Sequence, residues 1–366
     1  MLTNKALASS YSPGEVTFLL SDLSDQPLER DLQTRERNIA AGGNYAQILP
    51  IEYRPAPEYL ALFDELVACH ANEVAENVGV LAEQVLAARE GHPVVVSLAR
   101  AGTPIGILVR RWAEFAYSAS IPHYSISIVR GRGIDSVALD HLVARHDPAS
   151  LLFLDGWTGK GAIATELAAS LAAYAKAGGP ALSAELAVVA DPGGCATLFG
   201  TRDDILVPSA CLNSTVCGLV SRTVLNDELI KPGMFHGAKV YRELAGDDRS
   251  NAFLDAVSAA FPQVRETVRA RVTAERGLDR SSDWRGLDSV RRIQHEFALP
   301  SWHLVKPGIG ETTRVLLRRL PCQVLVRPDR HAALRHVRAL AAERGVPLVE
   351  YPGMPYSCVG LIRPAA

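Results

Sequence analysis

Short apolar runs that alternate with helix-patterned stretches constrain this chain more than any other feature. Val94 to Leu98, Tyr124 to Val129, Leu151 to Leu154 and Leu186 to Ala190 read as buried strands. Between them, Ile105 to Tyr117, Val137 to His146 and Ile163 to Ala177 carry helical spacing. Alternation of this kind predicts βα units around a mainly parallel sheet, flanked by helices, with ligands at the carboxyl ends of the strands. One or two amphipathic helices are expected over Pro57 to Arg89, stopped by Gly91-His92-Pro93.

The chain is long enough for two domains: 366 residues, 48% hydrophobic and 21% charged, with a formal charge of −2. The expected division is an N-terminal arm over 1–57, capping a site or a dimer, a main α/β domain over 58–255, a helical linker over 256–298 and a small α/β domain over 299–366. In that last domain a helix Thr312 to Arg319, a strand Gln323 to Val326, a helix Ala332 to Glu343 and a strand Pro347 to Glu350 are expected. The near-zero charge hides an asymmetry, since residues 300–366 hold ten Lys and Arg against Glu311, Asp329, Glu343 and Glu350. Cys69, Cys195, Cys211, Cys217, Cys322 and Cys358 lack the CxxC spacing of a zinc site, so reduced thiols in a cytoplasm are the expectation. With neither a secretion signal nor a run of ~20 apolar residues, no membrane association is expected.

Two loops carry the chemistry. After Leu151 to Leu154 comes Asp155-Gly156-Trp157-Thr158-Gly159-Lys160-Gly161, an acidic residue followed by a Gly/Thr loop that opens a helix. Backbone N–H groups there, with the Thr158 hydroxyl, suit an anion, and the Asp155 carboxylate suits ribose hydroxyls or Mg²⁺. The alternative is a tight βα turn that merely uses glycines. Arg100-Ala101-Gly102-Thr103-Pro104 stands at a second strand-to-helix junction, where Arg100 suits a diphosphate and Gly102 a close backbone approach.

The pair of loops resembles type I phosphoribosyltransferases, and nearly the whole chain resembles the StiP-type phosphoribosyltransferase-like family of bacterial tellurite-resistance and stress neighbourhoods. Further segments carry that likeness: Gly42 to Pro55, Leu206 to Val224, and Phe235-His236-Gly237-Ala238-Lys239. The resemblance implies a phosphoribosyltransferase that uses phosphoribosyl diphosphate with Mg²⁺. Asp155 would hold the ribose and the metal, with Arg100, Arg130 and Arg132 at the leaving group. Ala101, Gly102, Thr103, Trp157, Thr158, Gly159, Lys160 and Gly161 would bind the phosphoribosyl ligand. One carboxylate stands where two adjacent ones are usual, because Gly156 follows Asp155. Acceptor candidates are Asp191, Asn213, Arg222, His236 and Lys239. The competing class is a cysteine hydrolase, a label that relatives of the family also carry, with Cys211 as nucleophile and His236 as base. The apolar surroundings of Cys211 point to a buried thiol. The other alternative is a non-catalytic phosphoribosyl-ligand sensor coupled to RNA binding.

The basic tail opens a helix with Lys306-Pro307-Gly308-Ile309-Gly310-Glu311, followed by arginines at helical spacing. It resembles the pelota-type RNA-binding family, with Gly310 where Asn is usual. The resemblance implies an RNA-contacting face of Lys306, Gly308, Glu311, Arg314 and Arg318, next to Arg319. The alternative is a basic face that packs on the acidic body as a domain or dimer contact.

Overall fold

The computed structural model describes residues 7–31, 45–318, 321–330 and 332–362, with the side chains of Tyr45, Arg318 and Ala332 outside the description. Its centre is a parallel sheet in the order β1 (Thr17–Phe18), β3 (His123–Val129), β2 (Val94–Ala99), β4 (Leu151–Trp157), β5 (Leu186–Ala190), β6 (Leu198–Thr201). Successive side chains of a strand point to opposite faces, and here both faces are buried. Val95, Leu152, Leu154, Ala187 and Val189 enter one core, with helices α1 (Pro57–Ala88) and α2 (Gly102–Tyr117). Val94, Val96, Phe153, Leu186 and Val188 enter the other, with α3 (Ser136–Val143) and α4 (Ala162–Lys176). The result is the mixed α/β architecture with a mainly parallel sheet that the alternation predicts.

The differences from expectation are instructive. The stretch 57–89 forms a single helix, opened by Pro57 at its first position, where the missing N–H costs nothing. Strand β4 runs on through Asp155-Gly156-Trp157, read from sequence as loop, because β5 pairs with it as far as Trp157↔Ala190. Within 256–298, α5 (Ser250–Ala259) and α6 (Phe261–Ala274) bury Val257, Phe261, Val264 and Val268 in the same core as α1, and α7 (Arg285–Glu296) follows. From the N-terminal stretch, Thr17–Phe18 adds a strand at the sheet edge, whereas residues 32–44, with the Gly42-Gly43 start of the family-like segment, lie outside the described residues.

The C-terminal unit is a four-stranded sheet in the order β7 (Val305–Pro307), β10 (Cys358–Leu361), β8 (Gln323–Val326), β9 (Leu348–Glu350), with α8 (Ile309–Arg318) and α9 (Arg335–Glu343). The outer strand β7 and the central β10 were not read from sequence. Both are antiparallel partners of later or earlier segments, a pairing that no local period encodes. The buried Asp204 carboxylate fastens this unit to the body by accepting from Ile309 N at 3.1 Å and Ser357 N at 2.8 Å.

Helix α2 starts against the neighbouring strand. A Cβ at Gly102 would stand 2.4 Å from the Leu154 carbonyl oxygen and 3.0 Å from Asp155 Cα. Gly102→Ala is therefore expected to destabilise the chain by about 3 kcal/mol or more, since backbone cannot yield as a side-chain tip can. Thermal and urea unfolding check this, and an unchanged midpoint would contradict so close a contact.

Candidate active site

The two loops at the ends of β2 and β4 lie side by side, as Gly102 against Leu154 and Gly156 against Ala101 require. They open into a cavity of about 880 Å³ whose opposite wall comes from the C-terminal unit. Ala101, Arg130, Asp155, Trp157 and the loop 158–161 line one side, and His303, Lys306, Glu311 and Arg314 the other. Most of the expected binding residues are thus brought together, along with residues expected to face RNA.

Burial pushes the Asp155 carboxyl up to about 7, although Gly156 N–H donates to it at 2.8 Å. Burial also takes Lys160 down to about 7, helped by the positive charges of Lys306 and Arg130 and opposed by Glu311. The Lys160 ammonium donates to the Trp302 and Val305 carbonyls at 2.9 and 3.2 Å. His303 is lowered by burial, then by Lys160, Arg130 and Lys306. Among the described residues no three His, Cys, Asp or Glu side chains converge as a metal site, so Asp155 would give Mg²⁺ only partial protein coordination.

Behind the loop wall lies a polar cluster that sequence reasoning did not assemble. Asp191, at the end of β5, accepts from Cys195 N at 2.9 Å and Ala196 N at 3.1 Å, and pairs with Arg202. The Thr158 hydroxyl donates to the Asp191 carboxylate. Gly193 N donates to Thr158 Oγ1 at 3.2 Å, and the Cys195 thiol donates to the Gly193 carbonyl at 3.4 Å. Gly161, at φ 78°, leaves room for this: a Cβ there would stand 2.9 Å from Cys195 Sγ and 2.3 Å from the Trp284 ring. Burial first, then the Asp191 charge, pushes the Cys195 thiol up to about 12, while burial raises Asp191 above the usual carboxylate range. The available sequence signal was a cysteine four residues after the aspartate that ends a strand.

Other candidates take structural posts. Arg100 Nη1 donates to the Val220 carbonyl at 3.2 Å, and Thr103 is buried on Ser125 at 2.8 Å. Arg132 turns to Asp227 at 3.1 Å, while the Gly131 and Gly133 amides donate to Glu166. None of Asn213, Arg222, His236 and Lys239 lines the cavity. Arg222 bonds the Ile48 carbonyl, Lys239 pairs with Glu29 at 2.8 Å, and His236 Nδ1 meets Ser127 Oγ at 2.9 Å. Cys211 is fully buried, with Tyr59 donating to its carbonyl, as its apolar neighbours suggested. The expected RNA face turns inward: Lys306, Glu311 and Arg314 line the cavity, Gly308 lies on Asp204 and Arg314 also donates to Asn213 at 3.1 Å. The side chain of Arg318, and all of Arg319, lie outside the described residues.

A three-layer α/β body with a polar cluster and a cavity at its strand ends, closed by an appended α/β unit, defines the class of protein. Residues 9–258 match the family described as tellurite-like stress resistance cysteine protease StiP, and residues 284–364 match the PELOTA RNA binding domain. The chain belongs to the StiP family. It is 32% identical over 375 residues to the cysteine protease StiP of Acinetobacter baylyi, an alignment covering 99% of this chain and 96% of that protein. These findings overturn the expectation of a phosphoribosyltransferase acting on phosphoribosyl diphosphate with Mg²⁺: both the family and the relative are described as cysteine proteases. The adjacent loops that suggested it are present, but a parallel sheet presents such turns at its strand ends whatever the chemistry. No helix among the described residues is long and apolar enough to cross a membrane.

Proposed function

We propose that this chain is a thiol-dependent peptidase in which Cys195 is the nucleophile. One observation carries the assignment: the Thr158 hydroxyl and the Cys195 backbone N–H both donate to the Asp191 carboxylate, which groups cysteine, hydroxyl and base directly behind the loop that walls the cavity. A thiol needs a proton acceptor in hydrogen-bond reach, and a carboxylate raised by burial is a stronger base than an exposed one. In the reaction the thiol turns from the Gly193 carbonyl to the Thr158 hydroxyl, and its proton passes through Thr158 to Asp191 as sulfur bonds to the peptide carbonyl carbon. The C–N bond then breaks, the leaving amine takes the proton, and water hydrolyses the thioester. The high resting pKa and the covering Gly159–Gly161 loop make this conformation a latent one, opened when substrate displaces the loop. The resistance to tellurite-like stress in the family description is the setting we extend to this chain.

Iodoacetamide added during turnover, when substrate has displaced the loop, should inactivate peptide cleavage in step with alkylation of Cys195, mapped by mass spectrometry, while the exposed Cys69 reacts without effect. Full activity on a chain alkylated at Cys195 would reject the assignment.

The C-terminal unit is in our reading an RNA-binding module, supported by the domain match over 284–364. The basic residues of its β7 and α8 supply the phosphate contacts.

A further inference from the structure

The cavity holds an electrostatic conflict that neither loop geometry nor peptide cleavage explains. Arg130 from the end of β3, Lys160 from the loop after β4, and Lys306 and Arg314 from the C-terminal unit converge on one space, against Asp155 and Glu311, of which Glu311 pairs with Arg314 at 3.4 Å. The cations act on each other, since Arg130 and Lys306 both oppose the charge on Lys160. Convergence of like charges from separate segments costs stability unless an anion offsets it. Lys160 uses two of its three N–H donors on the Trp302 and Val305 carbonyls, leaving one for a ligand. Trp157 adds an aromatic surface to the wall, and about 880 Å³ is ample for a nucleotide-sized group.

We propose that this cavity takes a single-stranded segment of RNA, with backbone phosphate held among Arg130, Lys160, Lys306 and Arg314 and a base stacked on Trp157. The inference rests on the RNA reading of the C-terminal unit and adds that the body supplies half of the binding surface. Cations beside an aromatic platform are the means by which proteins hold unpaired nucleotides, whose bases are free to stack. A duplex presents its phosphates on a convex surface and keeps its bases stacked inside, so a concave pocket favours the unpaired strand. An RNA seated here stands between solvent and the loop covering Cys195, and so competes with peptide for the same space.

The test uses the full chain and a short fluorescent single-stranded RNA, read by anisotropy across a salt series. Lys306→Glu is expected to weaken binding at least about tenfold and to lower the salt slope, whereas Arg276→Glu, outside the cavity, should change it less than about twofold. On the unaltered chain, the same RNA should protect Lys160 from amine acetylation, which keeps the test decisive if Lys306→Glu does not fold. Absence of any RNA binding overturns both this inference and the RNA reading. Binding that leaves Lys160 unprotected and is indifferent to Lys306→Glu overturns the cavity alone, with the RNA reading intact. Displacement of the RNA by poly-glutamate at equal charge concentration would show an acidic polypeptide site and reject RNA as the occupant.

Discussion

Cys195→Ala is expected to lower peptidase kcat/KM by at least about 10³-fold, because no other group can form the thioester and residual cleavage would rely on binding alone. Thr158→Val should cost about 10²-fold by cutting the connection between thiol and carboxylate while keeping the side-chain volume. Cys211→Ala should leave turnover within about threefold, since that fully buried cysteine lies away from the polar cluster. Steady-state cleavage of a peptide library, with circular dichroism to confirm folding, checks all three. The reverse pattern, in which Cys211→Ala is inactive and Cys195→Ala is active, would move the nucleophile and dissolve the role given to Thr158 and Asp191.

Asp155→Asn should stabilise the chain at pH 8 by about 1–3 kcal/mol and leave it nearly unchanged at pH 3 to 4. In the folded chain Asp155 keeps its proton up to about 7, against an ordinary value of 3.8. Between those limits the unfolded chain binds fewer protons than the folded one, so the contribution of Asp155 to stability falls as pH rises and is lowest above 7. Asparagine still accepts from Gly156 N–H but carries no charge. Because Asp155 also lines the cavity, water offsets part of the burial penalty, which is why the expected gain is smaller than the full shift implies. Urea unfolding of both proteins at the two pH values is the measurement. Equal stability differences at pH 4 and pH 8 would show that the carboxyl is not held protonated by burial.

The two predictions concern groups that the sequence displayed in unequal ways. Asp155 was conspicuous, as an acid between an apolar strand and a glycine loop, and its place at the strand end follows from the βα pattern alone. Cys195 was not conspicuous, because its meaning depends on Thr158, 37 positions earlier by numbering, brought beside it by the pairing of β4 with β5. His236 misled in the opposite direction. It sits in a family-like segment, yet the fold spends its ring on Ser127 and its backbone N–H on Asp135 at 2.6 Å. The glycine loops likewise suggested phosphoribosyl chemistry, although close backbone packing, as at Gly102, is enough to require them.

What the sequence determined by itself was local and periodic: the order of strands and helices, the burial of both sheet faces, the side of the sheet on which a site must lie, and the basic character of the tail. Those properties depend on neighbours within a few residues, where hydrophobic spacing and turn residues speak directly. Only the tertiary structure decided that α5 and α6 belong to the main core, that the Lys306–Arg314 face turns toward the body, and that Cys195 meets Thr158 and Asp191. Each depends on contacts between segments remote along the chain, set by packing and by buried latches such as Asp204 on Ile309 and Ser357. No spacing in a single sequence records such meetings.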